Sequence, residues 1–202
     1  MKQQSLNLKF QDYIYLQDMQ TCSFFEEILT RCKNFIDGNG HSMILMGKED
    51  MAKSFFFYAL YNHLKQNNDC YFKSIKQDSD FLSCEDLKED IIFLDSYNTS
   101  YGSKNGEILL FKFFNESKLK KSKVLFNNSI YHEQKPNLKD LESRMSSSLL
   151  INFPLLSDED KKIIIVNFLK NRGLNLTDQS IEFVLNRYSS CLLYTSPSPR
   201  DR

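Results

Sequence analysis

The sequence predicts an α/β fold in which a parallel sheet carries helices on both faces. Short apolar runs alternate with stretches that repeat apolar residues at helical spacing, and this alternation favours parallel strands with right-handed crossovers. One run, Ser42–Met46, leads directly into an octapeptide with the spacing of a phosphate-binding loop. Another run, Asp90–Asp95, is apolar between its two acids, as expected for a strand with both faces buried.

The predicted elements follow one another through a core that we assign to residues 21–155. Helices are predicted where apolar residues recur three and four positions apart, at Phe24–Ile36, Lys53–Lys65 and Gly106–Lys118. Strands are predicted at the short apolar runs Met43–Met46, Cys70–Ile75, Asp90–Asp95, Lys123–Asn127 and Leu149–Phe153. Turns rich in Asn, Asp and Gly, at residues 37–40 and 67–69, separate several of these elements.

A helical region is predicted over residues 156–190. Ser157 has the side chain of a helix N-cap, and the acids at 158–160 complement the dipole of the first turn. This helix should run to about Asn171 and stop at Gly173, and Thr177 should cap a second helix that reaches Tyr188. Two helices after an α/β core resemble the start of a helical lid, and we expect this lid to be truncated.

The last residues, 191–202, differ in composition from the rest of the chain. They hold two of the four prolines and no Lys, Asn, Ile or Phe. The string resembles the translated adapter of a sequencing library, and a natural Ser/Pro-rich tail is the alternative. We therefore expect the natural product to continue differently after about Ser190.

The octapeptide GKEDMAKS, which starts at Gly47, is a degenerate phosphate-binding loop. Such a loop, G-x-x-x-x-G-K-[ST], wraps phosphates with backbone N–H groups and a helix N-terminus. Gly47, Lys53 and Ser54 keep the required spacing. Ala52 replaces the second glycine, and the Asp50 carboxylate would repel a phosphate. Weak nucleotide binding and a relic loop that binds nothing both stay open.

Two predicted strands end in polar side chains. Asp95 would hold the Mg²⁺ of a bound nucleotide together with Ser54, and capping of the following loop is its alternative role. Ser96 stands where ATP-hydrolysing relatives usually carry a second acid, so we expect negligible intrinsic ATPase activity. Asn127 and Asn128 close the fourth predicted strand, and an Asn pair at that place is ordinary turn chemistry. The expected cofactor is ADP or ATP with Mg²⁺, weakly bound, and no other metal site is expected.

Composition argues against several other classes of protein. The chain has 26 basic and 26 acidic residues, so no global field draws it to nucleic acid or membrane. Its apolar runs are far shorter than the roughly 20 residues of a membrane span. Five cysteines without C-x-x-C spacing and three isolated histidines argue for reduced thiols and against a metal site. We expect a cytoplasmic protein.

These motifs together resemble the AAA+ ATPase domain of the DnaA family over about residues 3–190, and within that family the short regulatory inactivators of the Hda type. Beyond the nucleotide motifs, the resemblance rests on three segments. They are the arginine box L-x-x-L-x-S-R-M at Leu138–Met145, the lid start L-S-D-E-D-K at Leu156–Lys161, and the terminal Q-Q-S-L-N-L at Gln3–Leu8. The Trp-Gly pair that follows the family's arginine box is Ser146-Ser147 here, and its sensor arginine has no counterpart before residue 191.

The resemblance implies that Asn127 or Asn128 would be the polar sensor of the γ-phosphate, with the ordinary turn as the alternative. It also implies a role for two of these segments. Arg144 would be an arginine finger that reaches a neighbour's nucleotide in trans, with a surface ion pair to Glu142 or Asp140 as the alternative. Residues 1–20 would hold a clamp-binding peptide and a linker, with a frayed terminus as the alternative. The residues that would contact the sliding clamp of DNA polymerase III are Gln3, Ser5, Leu6 and Leu8.

Three hypotheses of function follow from the resemblance. In the first, the protein bridges the sliding clamp and DnaA and stimulates hydrolysis of DnaA-bound ATP through Arg144, which turns replication initiation off. In the second, it is an autonomous P-loop ATPase, and in the third, a DnaA-like loading or localising module. The implied partners are DnaA and the clamp, with DNA met only indirectly, no membrane, and homo-oligomerisation left open. The clamp would associate the protein with the nucleoid.

Overall fold

The computed structural model of the chain describes residues 14–47, 51–84, 87–128, 135–174, 177 and 179–182. The predicted clamp-binding residues Gln3, Ser5, Leu6 and Leu8, like Asp50 and the tail at 191–202, lie outside the described residues. None of the helices in the described ranges has the length and apolar character needed to cross a membrane.

Five parallel strands form one sheet, which confirms the predicted fold class. The strands are β1 (Ser42–Met46), β2 (Cys70–Ser74), β3 (Ile91–Asp95), β4 (Lys123–Asn127) and β5 (Leu149–Asn152). Their order across the sheet is β2-β3-β4-β1-β5, and every neighbouring pair is parallel. The predicted bounds agree with the observed ones to within one residue, because the central strands are buried and their apolar runs mark their limits.

Five α-helices with both ends inside the described ranges accompany the sheet. They are α1 (Phe25–Asp37), α2 (Met51–Leu64), α3 (Lys104–Leu119), α4 (Lys139–Ser146) and α5 (Asp158–Lys170). The start of α3 precedes the predicted start because the Ser103 hydroxyl accepts from the N–H of Gly106 at 3.2 Å and caps the helix. Ser157 caps α5 as predicted, accepting from the N–H of Asp160 at 3.0 Å. The prediction missed helix α4 and three 3-10 segments, at Leu16–Asp18, Asp78–Cys84 and Tyr97–Ser100.

Helices cover both faces of the sheet, as predicted. The core beneath α1 and α2 receives Leu45 of β1 and Phe93 of β3, whereas the core beneath α3 and α4 receives Ile44 and Phe126. Neighbouring residues of one strand thus enter opposite cores, as the two-residue period of a strand requires. The sheet is therefore enclosed in the middle of the molecule, with its strand ends left to form a site.

Helix α5, the predicted start of a lid, packs on the same face as α1 and α2. Its Ile164 belongs to that core, and the rings of Phe55 and Phe168 meet at 5.8 Å between centroids. Just after α5, the Arg172 guanidinium binds the fully buried Asp18 carboxylate at 3.1 and 3.2 Å. Residues 179–182 are also helical, and the rest of the predicted second lid helix lies outside the described residues.

Candidate nucleotide site and the arginine-bearing helix

The carboxyl ends of parallel strands meet at one edge of the sheet, and the predicted nucleotide residues converge there. Asp95 ends β3 in register with Asn127, which ends β4. β1 ends next to β4 and continues through Gly47 towards α2, which carries Lys53 and Ser54 in its first turn. The parallel topology therefore brings the predicted polar side chains together at this end of the sheet. We call this site, with Lys53, Ser54, Asp95 and Asn127, the nucleotide edge.

The Asn127 side chain joins two of these residues. Its amide Nδ2 donates to Oδ1 of Asp95 at 2.6 Å and to Oγ of Ser54 at 3.2 Å. Asn127 is 1% exposed, and in the described part of the chain its Oδ1 accepts no hydrogen bond. A buried acceptor without a donor costs free energy, so this oxygen is an unused hydrogen-bonding position beside the carboxylate.

The Lys53 ammonium is directed at Asn128, the residue that follows β4. Its Nζ donates to the main-chain oxygen of Asn128 at 2.5 Å and to Oδ1 of the same residue at 2.6 Å. Lys53 is 1% exposed, and burial lowers its pKa to about 8. The negative charge of Asp95 acts in the opposite direction and raises this pKa, but its effect is smaller than that of burial. Lys53 would have to leave Asn128 before it could bind a phosphate. Of the two asparagines, Asn127 joins the site and Asn128 holds the lysine.

Asp95 is the other buried charge at this edge. Burial raises the pKa of Asp95, while the hydrogen bond from Asn127, the charge of Lys53 and a hydrogen bond from Ser74 oppose that rise. The next residue, Ser96, has a left-handed backbone with φ of 57°, and its N–H donates to the main-chain oxygen of Asn127 at 2.8 Å. Such backbone is uncommon in residues other than glycine and concentrates at functional sites.

Gly47 has a packing role in addition to its place in the loop. A Cβ at this position would lie 3.0 Å from the carbonyl oxygen of Phe153 and 3.5 Å from Cδ of Lys53. The backbone is close here because the N–H of Phe153, just after β5, donates to the oxygen of Met46 at 2.6 Å. A side chain at position 47 would therefore push against this backbone and against the lysine.

The residues at this edge fit a magnesium-bound nucleotide only in part. The Ser54 hydroxyl and the Asp95 carboxylate are hard oxygen donors of the kind that Mg²⁺ prefers. No group of three or more His, Cys, Asp or Glu side chains is arranged to hold a metal ion within the described ranges. Mg²⁺ would therefore need the phosphates of a nucleotide as further ligands, and Lys53 would have to exchange Asn128 for those phosphates.

Arg144 lies on α4, between β4 and β5. Helix α4 packs beside α3 through its apolar Leu141 and Met145, and Arg144 itself is half-buried. Neither alternative ion pair, with Glu142 or with Asp140, is found among the described residues, and Glu142 binds Lys135 at 3.3 Å. Among all residues that the structure describes, none pairs with the Arg144 guanidinium, and the structure does not bring it into contact with the nucleotide edge.

A buried carboxylate, Glu107, connects α4 to the rest of the molecule. Its two oxygens accept hydrogen bonds from the backbone N–H groups of Gly102, Asn137 and Leu138 at 2.8 to 2.9 Å. Burial alone would raise its pKa, but these three donors outweigh burial and lower it. Glu107 is therefore held as a carboxylate at the start of α3.

Solved structures of replication initiators share this fold. Domain III of the Thermotoga maritima replication initiation protein DnaA matches with a TM-score of 0.63 at 14% identity, covering 86% of this chain and 80% of that chain. AMPPCP-bound DnaA from Aquifex aeolicus matches with a TM-score of 0.59 at 18% identity, covering 85% of this chain and 59% of that chain. This chain has the fold of domain III of the replication initiation protein DnaA.

The matched structures are longer than this chain. A DNA replication initiation factor matches with a TM-score of 0.58 at 20% identity, covering 80% of this chain and 54% of that chain. The present chain thus spans little more than half the length of that factor and of the Aquifex aeolicus DnaA. A scan of protein-family models finds no match, and neither does a search of curated proteins.

Sequence reasoning located the polar residues of the nucleotide edge, whose roles in binding stay predictions. It missed Ser74, although a serine that ends the strand next to β3 is a usable signal, since Ser74 lies in register with Asp95. It also missed Glu107, for which the sequence offers no signal. An acid in the first turn of a helix is ordinarily explained by the helix dipole, and its real partners lie about 30 residues away.

Proposed function

We propose that this protein is a negative regulator of chromosomal replication initiation that acts on DnaA. It bridges the DNA sliding clamp, through Gln3, Ser5, Leu6 and Leu8, and ATP-bound DnaA. It inserts Arg144 at the nucleotide of DnaA and stimulates hydrolysis there. An arginine finger works by stabilising the charge that develops on the transferring phosphoryl group, and is worth about 10³–10⁵ in rate in well-studied GTPases.

The observation that carries this proposal is the setting of Arg144. Its guanidinium has no partner within the described part of its own chain and no contact with its own nucleotide edge. Helix α4 leads directly into β5, an edge strand on which Leu149 and Leu150 are 46% and 49% exposed. An arginine without a partner among the described residues and exposed apolar side chains on the next element both favour contact with another protein.

The residues at the nucleotide edge are poorly suited to hydrolysis of ATP by this protein itself, which favours an action on ATP bound to a partner. Lys53 is bound to Asn128, and Ser96 supplies no carboxylate to polarise a water. The nucleotide ligands that this edge suits, ADP or ATP with Mg²⁺, would serve a structural or regulatory role. An autonomous or degenerate P-loop ATPase of the DnaA family that acts as a loading or localising module is the second candidate, favoured by the retained positions of Ser54 and Asp95.

The test is single-turnover hydrolysis of ATP preloaded on the cognate DnaA, with sliding clamp on DNA and increasing amounts of this protein. We expect the parent protein to accelerate hydrolysis. Arg144→Ala should reduce that acceleration at least about tenfold. Arg144→Lys should recover little, because an ammonium lacks the planar fork of a guanidinium. The matched control is Lys120→Ala, which removes an exposed basic side chain at the end of α3.

The same assay separates the clamp contact from the arginine. Leu6→Ala combined with Leu8→Ala should raise the concentration needed for half-maximal stimulation by at least about tenfold, since burying a leucine contributes roughly 1.5–3 kcal/mol. It should leave the maximal rate intact. If Arg144→Ala stimulates as well as the parent, the finger role is wrong. If the protein alone hydrolyses ATP and Lys53→Ala abolishes that turnover, the ATPase hypothesis replaces ours.

A further inference from the structure

The Glu107 carboxylate forms an unusual set of hydrogen bonds for a surface-type side chain. Glu107 is 2% exposed and lies in the first turn of α3. Its Oε1 accepts from the N–H groups of Gly102 and Asn137, both at 2.9 Å, and its Oε2 accepts from the N–H of Leu138 at 2.8 Å. No cation pairs with this carboxylate among the residues described, so its partners there are backbone amides.

The three donors belong to two separate segments. Gly102 belongs to the connection that runs from β3 and Asp95 to α3. Asn137 and Leu138 are the two residues immediately before α4, and Leu138 is its N-cap. The structure gives α4 no side-chain cap of its own within the described ranges. The start of α4 is therefore held by a carboxylate from another helix.

We propose that Glu107 is a positioning residue for Arg144, holding the start of α4 so that the guanidinium is presented at a fixed place. This inference rests on the proposed function. Arg144 lies six residues beyond Leu138, about 9 Å along the helix, so a shift or rotation of the helix start moves the guanidinium with it. Because a finger acts only within hydrogen-bonding reach of the phosphoryl group, a misplacement of about 1 Å costs up to 10²-fold in rate.

A carboxylate suits this role better than an amide. Both oxygens of Glu107 accept hydrogen bonds, whereas a glutamine has one acceptor oxygen and one NH₂ group. Glu107→Gln keeps the side-chain volume but replaces one acceptor oxygen with an NH₂ group. In one orientation of the amide, this NH₂ faces the N–H of Leu138; in the other, it faces the N–H groups of Gly102 and Asn137. The substitution therefore loosens the start of α4 without creating a cavity.

The first arm of the test measures amide hydrogen exchange by mass spectrometry and needs no partner. Glu107→Gln should speed exchange across residues 137–146 by about tenfold, the effect of losing one hydrogen bond to a charged acceptor, and leave β3 and β4 unchanged. The matched control is Asp78→Asn. The Asp78 carboxylate accepts from the Ser103 hydroxyl at 2.5 Å at the same end of α3, and no hydrogen bond links it to α4 within the described ranges.

The second arm is stimulated ATP hydrolysis by DnaA at saturating concentrations of each variant. Glu107→Gln should lower the maximal rate at least about tenfold while the half-saturating concentration changes less than twofold. Asp78→Asn should match the parent. The double variant Glu107→Gln, Arg144→Ala should be no slower than Arg144→Ala alone, because residues that act through one group are not additive.

Each outcome decides a separate point. Unchanged exchange across residues 137–146 in Glu107→Gln overturns the positioning role. Faster exchange with an unchanged maximal rate shows that the start of α4 does not control Arg144, which also overturns it. A further loss in the double variant would show that Glu107 acts by another route. A parent protein that does not stimulate DnaA contradicts the proposed function instead, and the exchange arm still decides whether Glu107 fixes α4.

Discussion

Two buried ionisable side chains at the carboxyl edge of the sheet have pKa values shifted towards their neutral forms. Burial lowers the pKa of Lys53 to about 8 and raises the pKa of Asp95. Both shifts mean that the folded state disfavours the charges that these residues carry at neutral pH. Asn127 contributes a further cost through its unpaired Oδ1 within the described residues. Residues kept at a cost to stability are typical of functional sites.

Replacing Asp95 with asparagine should therefore stabilise the fold at pH 7, by about 1 kcal/mol, a usual size for such substitutions. The Asn127 amide can rotate so that its unpaired Oδ1 accepts from the new NH₂ group. Because the folded pKa of Asp95 is raised, its carboxylate costs stability at neutral pH, and that cost disappears as the pH falls through the folded value. Urea unfolding between pH 3 and 7 measures the effect.

The control for this prediction is Asp90→Asn, an exposed carboxylate just before β3. It should change the free energy of unfolding by less than about 0.5 kcal/mol at pH 7. A less stable Asp95→Asn variant at pH 7 would show that the attraction between Asp95 and Lys53 outweighs burial.

At the level of elements, one lysine ties the sheet to a helix end. Lys123 of β4 donates from Nζ to the carbonyl oxygens of Phe35, Gly38 and Gly40, at 3.1, 2.5 and 3.2 Å. These carbonyls close the C-terminal end of α1 and the turn into β1, where a positive charge also complements the helix dipole. The lysine therefore fixes the exit of α1 against the first residue of β4.

We expect Lys123→Met to lower the free energy of unfolding by about 1–2 kcal/mol, because it removes charge-assisted donors from three carbonyls that are partly open to water. The substitution also removes the ammonium that lies over the Phe35 ring, 5.2 Å from its centroid. Lys120→Met, at an exposed lysine near the end of α3, should have almost no effect. Equal denaturation midpoints for the two variants would refute this account of the α1 exit.

The elements that sequence reasoning predicted well are those defined by local pattern. The strands follow apolar runs, and the convergence of Asp95 and Asn127 follows from the parallel edge. Helix α4 escaped prediction because its only buried apolar residues are Leu141 and Met145, in an otherwise polar segment. The bond from Lys53 to Asn128 joins residues 75 positions apart, and the bonds of Glu107 to Asn137 and Leu138 span 30 and 31 positions, which no local pattern encodes.

At the scale of the whole molecule, a buried ion pair joins the segment before α1 to the lid helix. Asp18 is fully buried, and its carboxylate binds Arg172 at 3.1 and 3.2 Å and the Asn171 amide at 2.7 Å. The Arg172 guanidinium also stacks on the Phe168 ring, 3.5 Å from its centroid. The lid helix and the segment that follows the predicted clamp peptide are thus held as one unit.

Arg172→Met should weaken this unit by about 3 kcal/mol, since breaking a buried pair leaves the Asp18 carboxylate uncompensated. We expect faster amide exchange in Asp158–Lys170 and little change in β1, β3 and β4. Arg31→Met, which breaks an exposed i,i+4 pair, should cost less than about 0.5 kcal/mol. Unaltered exchange in α5 would show that apolar packing alone holds the lid.

The central claim is that Arg144 acts on the transition state of hydrolysis in a partner. An arginine finger binds the transition state better than the ground state. The direct measurement compares the affinity of this protein for DnaA loaded with ADP and aluminium fluoride, a mimic of the transferring phosphoryl group, and for DnaA loaded with a non-hydrolysable ATP analogue. We predict that the parent binds the mimic at least about tenfold more tightly and that Arg144→Ala binds both forms equally. Equal preference for the mimic in the parent and in Arg144→Ala would contradict the account.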